Sequence, residues 1–147
     1  MTLVEMLVVL AIIGITAGAS LLEIGSGAAM DGRAEAKRLE TRLQLAADES
    51  MLSDRPIALS LVGRGYSFLQ WDEQQGNWRP STVALLGEDH SMPRGMTLAS
   101  SDGRRLLPLG PEQAMNDITV RLSARGRNWL IVFDGLTARL QPSAGAR

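Results

Sequence analysis

The chain begins with a run of apolar residues headed by a single acid. From Met6 to Leu22 the sequence contains 17 residues and no charge, and Glu5 immediately precedes them. A membrane-spanning helix needs roughly 17–25 such residues. A secretory signal peptide starts with a positive segment, whereas this sequence has no Lys or Arg before Arg33. The pattern therefore predicts a transmembrane helix over residues 1–24.

The stretch that follows is rich in glycine. Residues 23–32 read EIGSGAAMDG, and each glycine weakens a helix by about 1 kcal/mol relative to alanine. We expect a soft segment where the helix leaves the bilayer, and an ordinary loop is the alternative.

An amphipathic helix is predicted from Arg33 to Leu52. Its apolar residues recur every three or four positions, which makes one stripe suited to packing on a sheet; they are Ala36, Leu39, Leu43, Ala46 and Ala47. Pro56 disfavours helix at the residue before it, so the helix should end near Asp54. Residues 25–53 would then continue the N-terminal helix as one spine.

Beyond residue 54 the pattern changes to short strands. Alternating or apolar runs lie at 57–62, 66–71, 78–80, 96–99, 117–122, 128–133 and 136–140, with turn signals at Gly63–Gly65 and Asp134-Gly135. Residues 81–116 otherwise read as loop. The predicted fold class is α+β, in which a long N-terminal spine helix, first transmembrane and then amphipathic, packs on an antiparallel β-rich domain over residues 54–147.

The residues from Thr2 to Ile15, TLVEMLVVLAIIGI, resemble the mature N-terminus of type IV pilins and pseudopilins. In that family a prepilin peptidase exposes and methylates the first mature residue, usually phenylalanine. Met1 stands at that place, either as an added start methionine or as an unusual first residue. A buried carboxylate is stabilised by a partner charge, and the resemblance implies that Glu5 pairs with the Met1 amine of a neighbouring subunit.

Two glycines in this helix form a candidate packing face. Gly14 and Gly18 are four residues apart, a spacing that lets helices approach closely in lipid. Small residues are common in such helices, so the pattern alone is a weak signal.

Downstream segments resemble one pseudopilin family in particular. The helix over 35–52, the block RPIALSLVGRGYSFLQWDEQQGNWRP over 55–80 and NWLIVFDGLTARL over 128–140 are similar to H subunits of type II secretion systems (the GspH family). The resemblance implies a non-enzymatic minor pseudopilin near the tip of a periplasmic pseudopilus. Its implied partners are the I, J and K minor subunits, the major G subunit, the prepilin peptidase and the assembly platform. The implied location is the bacterial inner membrane, crossed once, with the C-terminal domain in the periplasm.

A different functional class stays open, a minor pilin of a type IV pilus or DNA-uptake system that binds DNA. Net charge is −1, but arginines exceed acids towards the end of the chain, where Asp134 is accompanied by Arg121, Arg125, Arg127, Arg139 and Arg147. Phosphate contacts need clustered basic side chains. Alternating strand positions that face water would explain the same excess.

The sequence offers little for catalysis. His90 is the only histidine and there is no cysteine, so one chain cannot form a histidine cluster or a thiolate zinc site. We expect His90 to be a solvated loop residue, and we expect no catalytic residue, metal or cofactor. Trp71, Trp78 and Trp129 are candidate interface residues because Trp is enriched at hot spots, although core packing would also account for them.

Overall fold

The computed structural model describes residues 2–110 and 117–142, of which 16–30 and Pro142 are described by their backbone alone. These residues form one helix and nine strands. They are α1 (Leu3–Ser53), β1 (Ile57–Val62), β2 (Gly65–Asp72), β3 (Asn77–Pro80), β4 (His90–Ser91), β5 (Met96–Ser100), β6 (Leu106–Leu109), β7 (Ile118–Ala124), β8 (Arg127–Phe133) and β9 (Ala138–Pro142).

Helix α1 is continuous from Leu3 to Ser53. Its 51 residues span roughly 75 Å at 1.5 Å per residue. The alternative of a loop over 23–32 is therefore wrong, because the helix runs through the glycines. The helix ends where expected, since Asp54 adopts the left-handed conformation with φ 52° and the Ser50 hydroxyl donates to the Arg55 carbonyl at 3.0 Å.

The predicted stripe of the amphipathic segment is confirmed as the buried face of α1. Its five members are at most 1% exposed. They pack with Phe68 from β2 and Phe133 from β8, both also buried. Burying apolar side chains on one stripe supplies most of the stability of a helix that packs on a domain.

The strands form two antiparallel sheets. The first has the order β3-β2-β1-β6, with β4 also paired to β2, and the second has the order β5-β7-β8-β9. The C-terminal half of α1 contacts β7, β8 and β9 of the second sheet and β1 and β6 of the first. The core thus lies between the helix and the inner faces of both sheets. The α+β class with an N-terminal helix on an antiparallel β domain is confirmed.

Strand β9, at the edge of the second sheet, is bonded to the helix as well as to β8. The backbone N–H of Ala138 donates to Gln44 Oε1 and that of Leu140 donates to Glu40 Oε1, each at 3.0 Å. Gln44 Nε2 in turn donates to the Leu136 carbonyl at 3.1 Å. Two side chains one helical turn apart therefore satisfy backbone groups that an edge strand otherwise leaves unpaired.

The strand predictions hold apart from small boundary shifts and two omissions. Strands β4 and β6 lie within the segment predicted as loop. Pro108 within β6 weakened the sequence signal, because proline cannot donate to a ladder. The strand is at the edge of its sheet, where proline is tolerated. Residues 111–116 and 143–147 of the predicted β domain lie outside the described residues.

Candidate assembly surface

The N-terminal part of α1 presents an uncovered apolar surface. Every residue from Leu3 to Ile15 is exposed, and the large apolar side chains among them are between 43% and 79% exposed. Glu5 is the only charged residue between Thr2 and Ile15. A contiguous exposed apolar surface of this length marks a site of interaction with protein or lipid. No helix in the described part of the chain is long and apolar enough to cross a membrane.

Glu5 has a local role at the start of the helix. Thr2 is the N-cap, and its hydroxyl oxygen accepts from the backbone N–H of Glu5 at 3.4 Å. The spacing Thr2-x-x-Glu5 matches the capping box, and an acid in the first turn is favourable next to the positive end of the helix dipole. The Thr2-x-x-Glu5 spacing is the sequence signal from which this cap could be predicted. Glu5 is exposed, so its carboxylate is accessible to a neighbour.

The structure does not test the roles predicted for Met1, Gly14 and Gly18. Met1 lies outside the described residues, and the surroundings of Gly18 are likewise not described. Gly14 faces open space within the chain, because a Cβ added there would meet nothing within 4 Å. The pairing of Met1 with Glu5 and the Gly14–Gly18 face remain predictions.

The three tryptophans occupy two different environments, and all are half-buried. Trp71 and Trp78 pair across β2 and β3 with ring centroids 5.3 Å apart and planes at 70°. Trp129 packs against the core and its indole lies over Gly32 of α1. The structure therefore separates Trp129, which joins sheet to helix, from Trp71 and Trp78, which lie away from the core.

His90 is not a solvated loop residue, contrary to the prediction. Its Nε2 is 2.7 Å from Glu35 Oε2, and both side chains are about nine-tenths covered, at 14% and 13% exposure. Its ring lies 5.0 Å from that of Tyr66. Tyr66 is itself buried, and desolvation raises the pKa of its hydroxyl to about 12. This group ties β4 and β2 to the spine helix, a structural role that the sequence spacing does not reveal.

Among the described residues, side chains that could bind a metal do not cluster. Those residues contain no group of three or more His, Cys, Asp or Glu placed to hold a metal. A cleft of about 830 Å³ beside the end of α1 is lined by Arg55, Gln70, Trp71, Asp72 and Arg79 among others. Its lining includes the carboxylates of Asp54, Asp72 and Glu73 and lacks histidine and cysteine.

The arginines behind the DNA-binding alternative are spread over the second sheet. Arg121 and Arg139 are exposed on its outer face, where they pair with Leu130 and Val132 of β8 respectively. Arg125 and Arg127 lie at the β7–β8 hairpin, and Arg147 is outside the described residues. Alternating strand positions that face water therefore account for two of these five arginines.

In sequence, the chain is similar to a type II secretion protein. The chain is 30% identical over 111 residues to type II secretion system protein H of Pseudomonas aeruginosa, an overlap of 74% of this chain. It spans 62% of the length of that relative. No protein-family model matches the chain.

Solved structures show the fold. The minor pseudopilin EpsH from the type 2 secretion system of Vibrio cholerae matches with a TM-score of 0.59 at 17% identity, over 78% of this chain and 98% of EpsH. The type IV minor pilin FimU of Pseudomonas aeruginosa matches with a TM-score of 0.55 at 17% identity, over 78% of this chain and 96% of FimU. These two structures share the fold of this chain, and the sequence relative is an H protein of a type II secretion system, as the predicted resemblance implies.

Proposed function

We propose that the chain is a non-enzymatic minor pseudopilin of a type II secretion system. It assembles at or near the tip of the pseudopilus and links the tip subunits to the shaft of major subunits, so that proteins are exported across the outer membrane. The observation that carries this proposal is the uncovered apolar helix from Leu3 to Ile15, headed by Glu5, on a domain of pilin-like fold. Similarity to a type II secretion H protein supports secretion as the pathway.

The exposed helix suits two successive environments. Before assembly it is inserted in the inner membrane as part of a single transmembrane segment over residues 1–24, with residues 54–147 in the periplasm. After extraction by the assembly platform, the same apolar surface packs among the helices of neighbouring subunits. Both environments bury the apolar side chains that the isolated chain leaves exposed.

Glu5 and Met1 set the register of this packing. In an apolar helix bundle, a carboxylate is costly unless a cation neutralises it. The N-terminal amine of an adjacent subunit is a cation at a fixed place in a staggered array of parallel helices. Gly14 and Gly18 would allow close approach of the same helices.

The partners are the I, J and K minor subunits and the major G subunit, together with the prepilin peptidase and the platform. Trp71 and Trp78 are partly accessible for such contacts. Trp129 instead packs against Gly32 of the same chain. No cofactor, metal or small-molecule substrate is part of this function.

DNA binding by a type IV or competence pilin is the second candidate. It is favoured by the fold shared with FimU and by the exposed Arg121 and Arg139 on one face. It is weaker because these two charges are separated by apolar Leu130 and Val132, while Arg125 and Arg127 lie apart from them at the β7–β8 hairpin, and phosphate contacts need clustered basic side chains. The sequence relative is also a secretion protein.

Co-purification tests the proposal against this alternative. The full chain in detergent is mixed with the I, J, K and G subunits, and binding to double-stranded DNA is measured in parallel at physiological salt. We expect a complex with one or more subunits and no tight DNA binding. DNA binding that is lost in Arg121→Ala/Arg139→Ala, without any subunit complex, would contradict the proposal.

A further inference from the structure

The outer face of the first sheet carries an apolar group of tryptophan and proline residues. We call it the Trp–Pro face and define it by Pro56, Ala58, Leu69, Trp71, Trp78, Pro80 and Pro108. Its members are cross-strand neighbours: Ala58 pairs with Leu69 and with Pro108, Leu69 with Pro80, and Trp71 with Trp78. The N–H of Trp71 donates to the Pro56 carbonyl at 2.9 Å, which places Pro56 beside the indole pair.

This face points away from the core. Its positions alternate with Ile57, Leu59 and Phe68, which are at most 1% exposed and belong to the core. Successive side chains of a strand point to opposite faces of the sheet. Neither Trp71 nor Trp78 packs against the core cluster. An aromatic pair is thus held edge to face on the side of the sheet opposite α1.

Part of the face is open. Pro56 and Pro80 are exposed and the two indoles are half-buried, while Ala58 is fully covered by its larger neighbours. Tryptophan is enriched at binding hot spots, and rigid residues lose little entropy when a partner orders them. A rigid, partly open tryptophan pair is therefore well suited to a protein contact.

The charge of the face restricts its partner. None of its seven members is charged, whereas the outer face of the second sheet carries Arg121 and Arg139. A nucleic acid needs basic side chains to neutralise its phosphates, and the Trp–Pro face has none. Its complement is an uncharged apolar protein surface.

The size of the face restricts the partner further. A tryptophan buries 150–250 Å² when covered completely, so two half-buried indoles with their prolines offer on the order of 300 Å². A stable stand-alone complex buries about 800 Å² on each partner. This face is too small to hold a free protein alone, so its partner must also be held by another contact. The exposed helix from Leu3 to Ile15 provides one.

We infer that the Trp–Pro face docks the uncharged apolar surface of the globular domain of a neighbouring pilin-like subunit that is a different protein from this chain and lies in the same filament. This inference rests on the proposed function. The helix contact raises the effective concentration of the neighbour, so a small second contact suffices to orient its domain.

Site-specific photo-crosslinking tests the inference in cells that carry the whole secretion apparatus. A benzophenone amino acid replaces Trp78 in the full chain, and Pro80 serves as a second position on the same face. Leu130, on the outer face of the second sheet, is the matched control, and Val8 reports helix contacts. Crosslinked products are identified by mass spectrometry. We expect crosslinks from positions 78 and 80 to another pilin-like subunit at several-fold higher yield than from position 130.

The crosslinking outcomes distinguish failure of the inference from failure of the proposed function. Crosslinks from position 8 to pilin-like subunits, with none from 78 or 80, would overturn the inference and leave the proposed function standing. The same holds if 78 and 80 crosslink to lipid, to DNA or to a second copy of this chain. If positions 8, 78 and 80 all give no pilin-like product, both the inference and the proposed function are wrong.

Discussion

Gly32 of α1 lies directly under the indole of Trp129 from β8, and the contact depends on the absence of a side chain at position 32. A Cβ added to Gly32 would lie 2.5 Å from Cζ3 and 3.1 Å from Cζ2 of the indole. Carbon atoms that are not bonded to each other repel strongly at these distances. Because interiors are close-packed, the indole has little room to move away. Gly32 thus joins the spine helix to the second sheet at the point beyond which α1 leaves the domain.

Gly32→Ala should destabilise the protein although alanine favours helix. The indole must move, and overpacking of this kind costs about 1–3 kcal/mol, against a gain in helix propensity of about 1 kcal/mol. We expect a lower urea midpoint for the full chain in detergent, measured by circular dichroism. In the double variant Gly32→Ala/Trp129→Leu the clash is absent. Its urea midpoint should therefore be no lower than that of Trp129→Leu alone.

Gly14→Ala is the matched control for this substitution. The same change is made in the same helix, but among the described residues nothing apart from the adjoining helix backbone lies within 4 Å of the added Cβ. Its urea midpoint should equal or slightly exceed that of the wild type. Equal midpoints for Gly14→Ala and Gly32→Ala would show that the Trp129 contact does not restrict position 32.

Gln44→Ala should loosen the attachment of β9 to the helix. The substitution leaves the N–H of Ala138 and the carbonyl of Leu136 without their side-chain partner, and loss of one such hydrogen bond costs about 0.5–1.5 kcal/mol. Hydrogen exchange at Ala138 should accelerate. Thr41→Ala, on the exposed side of the same helix, should leave exchange at Ala138 unchanged. Unchanged protection in Gln44→Ala would contradict the role given to this side chain.

Stability should fall in acid partly through Asp134. Hydrogen bonds from Thr137 and Leu136 in the β8–β9 turn lower the pKa of this carboxyl from 3.8 to about 2. Since the folded pKa is depressed, the stabilisation is present above the unfolded value and is lost as pH falls through the folded value, between about 4 and 2. Asp134→Asn removes this titration and should flatten the decline of the melting temperature in that window.

Asp102 titrates in the same pH window, because hydrogen bonds from Ser100 and Arg104 also lower the pKa of its carboxyl to about 2. Asp134→Asn alone should therefore reduce the acid dependence, and addition of Asp102→Asn should reduce it further. A melting temperature that declines equally steeply in the double variant would mean that neither turn carboxylate contributes.

The β7–β8 hairpin should accept a stabilising change at Arg125. Arg125 and Gly126 occupy a two-residue turn with φ of 48° and 78°, and Asn-Gly is the favoured pair for two positive φ values. Arg125→Asn should raise the free energy of unfolding slightly, which would appear as a higher urea midpoint. Gly126→Ala should lower the free energy of unfolding by about 1–2 kcal/mol. A lower midpoint for Arg125→Asn would show that the arginine side chain outweighs the strain of its backbone.

The elements best predicted from sequence are those whose pattern is local. The stripe from Ala36 to Ala47 could be read from helical spacing alone, and every member is buried. Strand β1 was predicted with its observed bounds, because an apolar run lies between Pro56 and a glycine turn. Patterns of this kind depend on residues close together in the chain.

The features missed from sequence depend on residues far apart. Gly32 looked like a helix-weakening residue because nothing in the sequence shows that Trp129 would cover it. His90 looked like a loop residue because its partner Glu35 is 55 positions away. Strand β6 was obscured by Pro108, which is tolerated because β1 occupies only one side of that strand.

The role of Glu5 in assembly can be tested by restoring secretion to a strain that lacks this chain. Three versions are compared at equal membrane levels: wild type, Glu5→Ala and Glu5→Gln. Glutamine keeps the capping ability of Glu5 but removes its charge, so it separates helix capping from pairing with a neighbouring amine. We predict that the wild type restores secretion and that both variants are inserted and folded but restore it several-fold less. Full secretion without the chain, or with Glu5→Ala, would contradict the account.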